Sequence, residues 1–95
     1  MDNKKLTQAY REVMGDKLKE FRESRGVSTY AVRKKTGLSG AQINDIESGA
    51  SSYTIDSFLL YLMGSDLYLY FAEKSDKPDD LDDLAKKAID RDPMK

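Results

Sequence analysis

Between Lys4 and Arg25 the apolar residues recur in steps of three and four, at Leu6, Tyr10, Val13, Met14, Leu18 and Phe21. That spacing lays a single stripe along one side of a helix and predicts a first helix stopped by Gly26. Gly15 lies inside it, where glycine costs about 1 kcal/mol against alanine, and marks a kink or a division. Three shorter segments follow, each opened by a hydroxyl side chain. Ser28 opens a second helix through Thr36, stopped by Gly37. Ser39 opens a third, carrying Ile43 and Ile46, stopped by Gly49. Thr54 opens a fourth, with Ile55, Phe58, Leu59 and Leu62 on one side, ending at Gly64. Ser and Thr oxygens accept from first-turn N–H groups, and glycine adopts the left-handed conformation that ends a helix.

Beyond Gly64 the period changes. Asp66 to Ala72 is apolar and aromatic, and it is short for an independent helix. It reads as a β-strand with Leu67, Leu69 and Phe71 on one face and Tyr68 and Tyr70 on the other. The alternative is an extension of the fourth helix, since periodicity alone does not separate the two for a short apolar run. One strand by itself leaves N–H and C=O groups unpaired. The strand reading therefore implies pairing with a second copy, with Leu67 to Phe71 as a homodimer interface. After Pro78, Leu81, Leu84, Ala85, Ala88 and Ile89 fall in helical register, with acids at the start and Lys86, Lys87 and Arg91 toward the end, as the helix dipole favours. The expected fold is mainly α, with four to five helices and one C-terminal strand. Its expected parts are a helical extension over 1–13, a helical domain over 14–64, a dimerisation strand over 65–73 and an acidic helix and tail over 74–95.

Composition narrows the function. A chain of 95 residues encloses little pocket, and with no cysteine and no histidine it lacks thiolate nucleophiles, Cys/His zinc sites and a histidine base. No enzyme, metal or cofactor is expected. The aspartates of Ser75–Asp92 lack the ligand order of a calcium loop. An apolar run such as Phe58 to Met63, unexceeded in the chain, is too short to cross a bilayer, and Met1 to Leu6 lacks the apolar core of a secretion signal, so a cytoplasmic protein with no membrane partner is expected. Net charge is −1, but it divides unevenly. Residues 1–37 hold ten basic and five acidic residues (+5), and residues 38–95 hold six and twelve (−6). A basic half is able to face phosphate while the acidic half faces away.

Val27 to Gly49 reads as a short helix, a tight turn at Gly37-Leu38-Ser39, and a second short helix. This is the outline of a helix-turn-helix, whose second helix fits the major groove of B-DNA. Residues 14–63 resemble the phage-repressor or Cro-type (XRE) helix-turn-helix family. The resemblance is carried by Met14-Gly15, Leu18, Arg22, Gly26, Val27-Ser28, Gly37-Leu38-Ser39, Ile43, Ile46-Glu47 and Gly49. It implies a lambda-repressor-like fold and a homodimeric transcriptional repressor on a palindromic operator in double-stranded DNA. It also implies a partly buried ion pair between Arg22 and Glu47.

Carried over by position, base contacts fall at Gly40, Ala41, Gln42, Asn44 and Asp45. Phosphate contacts fall at Ser28, Thr29, Ser39, Ser48, Ser51, Ser52 and Tyr53. Lys17 and Arg33, with Lys34 and Lys35, add charge beside the DNA backbone. Gln42 and Asn44 have the amide pair suited to adenine, Ala41 suits a thymine methyl, and Asp45 suits cytosine N4. The C-terminal strand is similar to that of HipB-type antitoxins, which makes a toxin protein the alternative partner. This chain departs from the family pattern in having Arg33 where a small residue is usual. Gly40 also puts no side chain at a base-reading position, and no Lys or Arg follows Gly49 closely. A protein-interaction scaffold without DNA binding is the third reading.

Overall fold

The computed structural model describes residues 2–71, residue 73 and the isolated positions 86 and 89. Four helices stand among them: α1 (Asn3–Ser24), α2 (Thr29–Thr36), α3 (Gly40–Ser48) and α4 (Ile55–Gly64). The hydroxyl caps are where the sequence puts them. Ser28 accepts from the Ala31 N–H at 3.0 Å, Ser39 from Gln42 at 3.1 Å and Thr54 from Ser57 at 3.1 Å. Each satisfies one of the donors that a helix start leaves without an intrahelical partner. Gly37 and Gly49 end α2 and α3 at φ 80° and 66°.

α1 packs chiefly on α3, and α2 chiefly on α4. Leu18, Val32, Leu38, Ile43, Ile46, Phe58, Tyr61 and Leu62 form the core, with one or more side chains from every helix. Gly15 does not divide α1, which runs unbroken through it. Its role is close approach. A β-carbon there would overlap the main-chain oxygen of Glu47 and stand 2.7 Å from that of Ile46. Closing α1 onto α3 at this point rotates the buried side of α1 toward Gly15 and Arg22. Phe21, on the flank of the expected stripe, is consequently 56% exposed. A similar displacement affects α4, which buries Phe58, Tyr61 and Leu62 and leaves Ile55 and Leu59 exposed.

The fourth helix does not continue into residues 66–71. Asp66 adopts φ 57°, the left-handed region that aspartate enters more readily than most non-glycine residues. The Leu67 N–H donates to the Leu62 carbonyl at 2.9 Å and the Asp66 N–H to that of Met63 at 3.3 Å. These are the paired bonds of a Schellman helix end, with Leu67 folding back onto the core beside Leu62. Tyr68, Leu69, Tyr70 and Phe71 are then exposed and belong to neither helix nor strand within the single chain. Ala72 and most of the expected C-terminal helix over Asp79–Asp90 lie outside the described residues. No helix among the described residues is long and apolar enough to cross a membrane.

Gly15 and Gly40 are both helical glycines, and substitution by alanine has opposite consequences. Gly15→Ala forces α1 from α3 and lowers stability by about 1–3 kcal/mol. A β-carbon at Gly40 meets nothing within 4 Å, so Gly40→Ala raises stability by about 0.5 kcal/mol through reduced unfolded-state entropy. Urea unfolding of the two variants checks both signs.

Candidate nucleic-acid interface

The placement of α3 is set by a buried polar cluster. Arg22 on α1 is 5% exposed and Glu47 on α3 is 9% exposed. Arg22 Nε donates to Glu47 Oε2 at 2.6 Å and Nη2 to Oε1 at 3.2 Å, a two-pronged contact with the carboxylate. The remaining guanidinium arm, Nη1, donates to the Val27 carbonyl at 2.7 Å and so holds the connection into α2. From α4, the fully buried Tyr61 hydroxyl donates to the same Glu47 Oε2 at 2.5 Å. Hydrogen bonding to Glu47 holds the Arg22 pKa above its ordinary value against the opposing effect of burial. Burial, then the bond to Glu47, raises the Tyr61 hydroxyl well above the ordinary tyrosine range.

The Arg22–Glu47 pair is one the family resemblance implies, and the two side chains meet as expected. Tyr61 is a third member that sequence reasoning missed. It lies between Phe58 and Leu62 in the chain, and a phenol in an apolar stripe needs a buried partner. That need was the available signal.

With Ile43, Ile46 and Glu47 turned inward, α3 leaves Gly40, Ala41, Gln42, Asn44 and Ser48 exposed and Asp45 half-buried. The five residues expected to read bases therefore share one short helix whose opposite face is anchored. The turn leading into it is fixed as well. Thr36 donates its hydroxyl to the Val32 carbonyl at 2.7 Å and accepts from the Leu38 N–H at 3.1 Å, which places Leu38 in the core. Ser28 and Thr29 are exposed at the start of α2, where first-turn N–H groups favour an anion. Ser28 and Ser39 spend their oxygens on capping but keep a hydroxyl hydrogen to donate.

The other expected contacts are more varied. Ser51 and Ser52 are exposed, and Ser48 accepts from the Ala50 N–H at 3.3 Å. Tyr53 turns inward and stacks on Phe58 with ring centres 6.1 Å apart. Its hydroxyl is enclosed without a hydrogen-bond partner among the described residues, so the structure does not bring it to the surface that Ser51 and Ser52 occupy. Lys17, Arg33, Lys34 and Lys35 are exposed. Lys34 sits 5.7 Å from the Tyr30 ring centre, and Lys35 pairs with Asp66 at 3.1 Å. Lys35 also lies in the last turn of α2, where a cation suits the helix dipole. Arg11, unassigned by the sequence, donates from Nε to the Gly49 carbonyl at 3.2 Å and ties α1 to the end of α3.

No group of side chains able to hold a metal ion occurs among the described residues. Comparison with protein-family models, curated proteins and solved structures finds no match to this chain.

Tyr61→Phe removes a buried hydrogen bond to a charged acceptor and lowers stability at neutral pH by about 1.5–3 kcal/mol. The pH dependence follows from the raised Tyr61 pKa. The folded state holds the phenol proton more tightly than the unfolded chain does. This contribution is complete below the ordinary tyrosine value of 10.0 and declines as pH rises above it. Between pH 9 and 11 the gap between wild type and Tyr61→Phe should narrow. A gap that stays constant or widens contradicts this coupling.

Proposed function

We propose that this chain is a sequence-specific DNA-binding transcriptional regulator, acting as a homodimer that represses by occupying a palindromic operator. The observation that carries the proposal is the division of α3. Ile43, Ile46 and Glu47 anchor one face, while Gly40, Ala41, Gln42, Asn44 and Ser48 stay exposed on a helix of major-groove dimensions. The exposed start of α2 and the positive balance of residues 1–37 supply the phosphate-facing chemistry that such docking requires.

The dimer is supported by a second feature. Ile55, Leu59 and Met63 are spaced as one stripe on α4 and are 65%, 41% and 64% exposed. Tyr68, Leu69, Tyr70 and Phe71 follow in the chain and are also exposed. An apolar surface of this kind on a small domain marks an interaction face. Residues 68–71 also carry main-chain groups that the same segment of a second copy would satisfy if the two paired as strands. A two-fold pair would set two α3 helices roughly 34 Å apart, one turn of DNA.

Fluorescence titrations should give tighter binding to a palindrome chosen from a random pool than to arbitrary duplex, with affinity falling linearly in the logarithm of salt concentration. No binding at low salt would sink the proposal. Leu59→Glu should convert the dimer to monomer in sedimentation and weaken operator binding at least tenfold while leaving helix content intact. If the wild type sediments as a monomer and still binds the palindrome fully, the dimer is wrong.

A further inference from the structure

We infer that Gln42 reads guanine, and not the adenine that its side chain suggests in the sequence; the inference rests on the DNA-binding reading proposed above. Gln42 is the third residue of α3 and forms a reciprocal capping box with Ser39. Its main-chain N–H donates to Ser39 Oγ at 3.1 Å, and its side chain accepts from the Ser39 main-chain N–H at 2.8 Å. A main-chain N–H only donates, so the amide atom facing it is the carbonyl Oε1 and not Nε2. The orientation of the amide is thereby fixed by chemistry. The acceptor is held against the helix start, and the NH2 group with both hydrogens is left for a ligand.

An amide recognises adenine by donating to N7 and accepting from the N6 amino group at once. One of the two Oε1 lone pairs of Gln42 is engaged by Ser39 while both Nε2 hydrogens are unengaged, so what the side chain has left is weighted toward donation. Guanine presents two neighbouring acceptors, N7 and O6, in the major groove. Thymine presents one acceptor beside a methyl group, and cytosine presents a donor. Guanine is the base whose edge two donor hydrogens match. Reading adenine would ask Oε1 to accept a second hydrogen bond while it caps the helix that carries the site. Asn44, further along the exposed side of α3, has no such tie among the described residues and keeps both halves of its amide for adenine.

The test is selection of preferred duplexes from a random pool by the full chain, repeated with Gln42→Glu. Glutamate preserves the capping acceptor, as in the other common form of the box, and removes the donor. The wild type should select a guanine in each half-site, and changing that guanine to adenine should weaken binding about tenfold. Replacing it by 7-deazaguanine, which lacks the N7 acceptor, should also weaken binding. Gln42→Glu should lose the guanine preference at that position alone while its melting temperature stays near the wild-type value. Should Gln42→Glu change the preference at an adenine, at no position, or weaken all duplexes equally, as removal of a phosphate contact would, the inference is overturned while DNA binding stands. Failure of the wild type to bind any duplex at low salt removes the DNA-binding reading and the inference together.

Discussion

The carboxylate of Glu47 is shared by a guanidinium from α1 and a phenol from α4, and the position of α3 follows from that sharing. α3 spans Gly40–Ser48 and α2 spans Thr29–Thr36, lengths at which an isolated helix is unstable in water. Their rotation must be fixed from outside. Arg22 reaches Glu47 from one side and the Val27 carbonyl from the other, while Tyr61 closes the remaining approach to Oε2. A buried ion pair adds little net stability relative to a well-packed apolar pair, yet removing one member costs about 3–5 kcal/mol. Its effect here is orientation. With Ile43, Ile46 and Glu47 inward, the helical period places Ala41 and Ser48 outward and Asn44 on the flank, while Gly40 is exposed as the first residue of the helix.

The apolar contacts agree with that orientation. Gly15 admits the main chain of α3 on the same face of α1 as Arg22, about two turns before it, so the close approach and the polar cluster act on one side of α1. Ile43 and Ile46 fill the core that Leu18, Val32 and Leu62 line. Arg11, bonded to the Gly49 carbonyl, holds the far end of α3 against the same helix. Hydroxyl caps at Ser28, Ser39 and Thr54 stop each connection from fraying into the next helix. Local preference and long-range packing select the same arrangement, the consistency expected of a sequence with one dominant fold.

Much of this was readable before any coordinates. Cap residues act locally, so Ser28, Ser39, Thr54, Gly37 and Gly49 marked their helix ends directly. What escaped were features that depend on partners distant in the chain. Phe21 and Leu59 fit apolar stripes but lie on flanks, because the centre of each buried face is set by Gly15, Arg22 and Tyr61 and not by hydrophobicity. Asp66 gave no clear stop signal, since the left-handed helix end is usually glycine. The expected site residues mostly share the α3 surface, but Gln42 bonds back to Ser39 and Tyr53 packs on Phe58. Side-chain type announced their chemistry without revealing that part of it was already engaged.

The proposed function turns on whether α3 is a surface that receives DNA. Backbone amide shifts of the full chain, followed by NMR during titration with a duplex selected for binding, locate that surface residue by residue. The largest changes are expected at Ser28 and Thr29 and along Gly40 to Ser48, with little change in the outer turns of α1 around Glu20. Perturbations centred on the outer face of α1, with α3 unmoved, would contradict it.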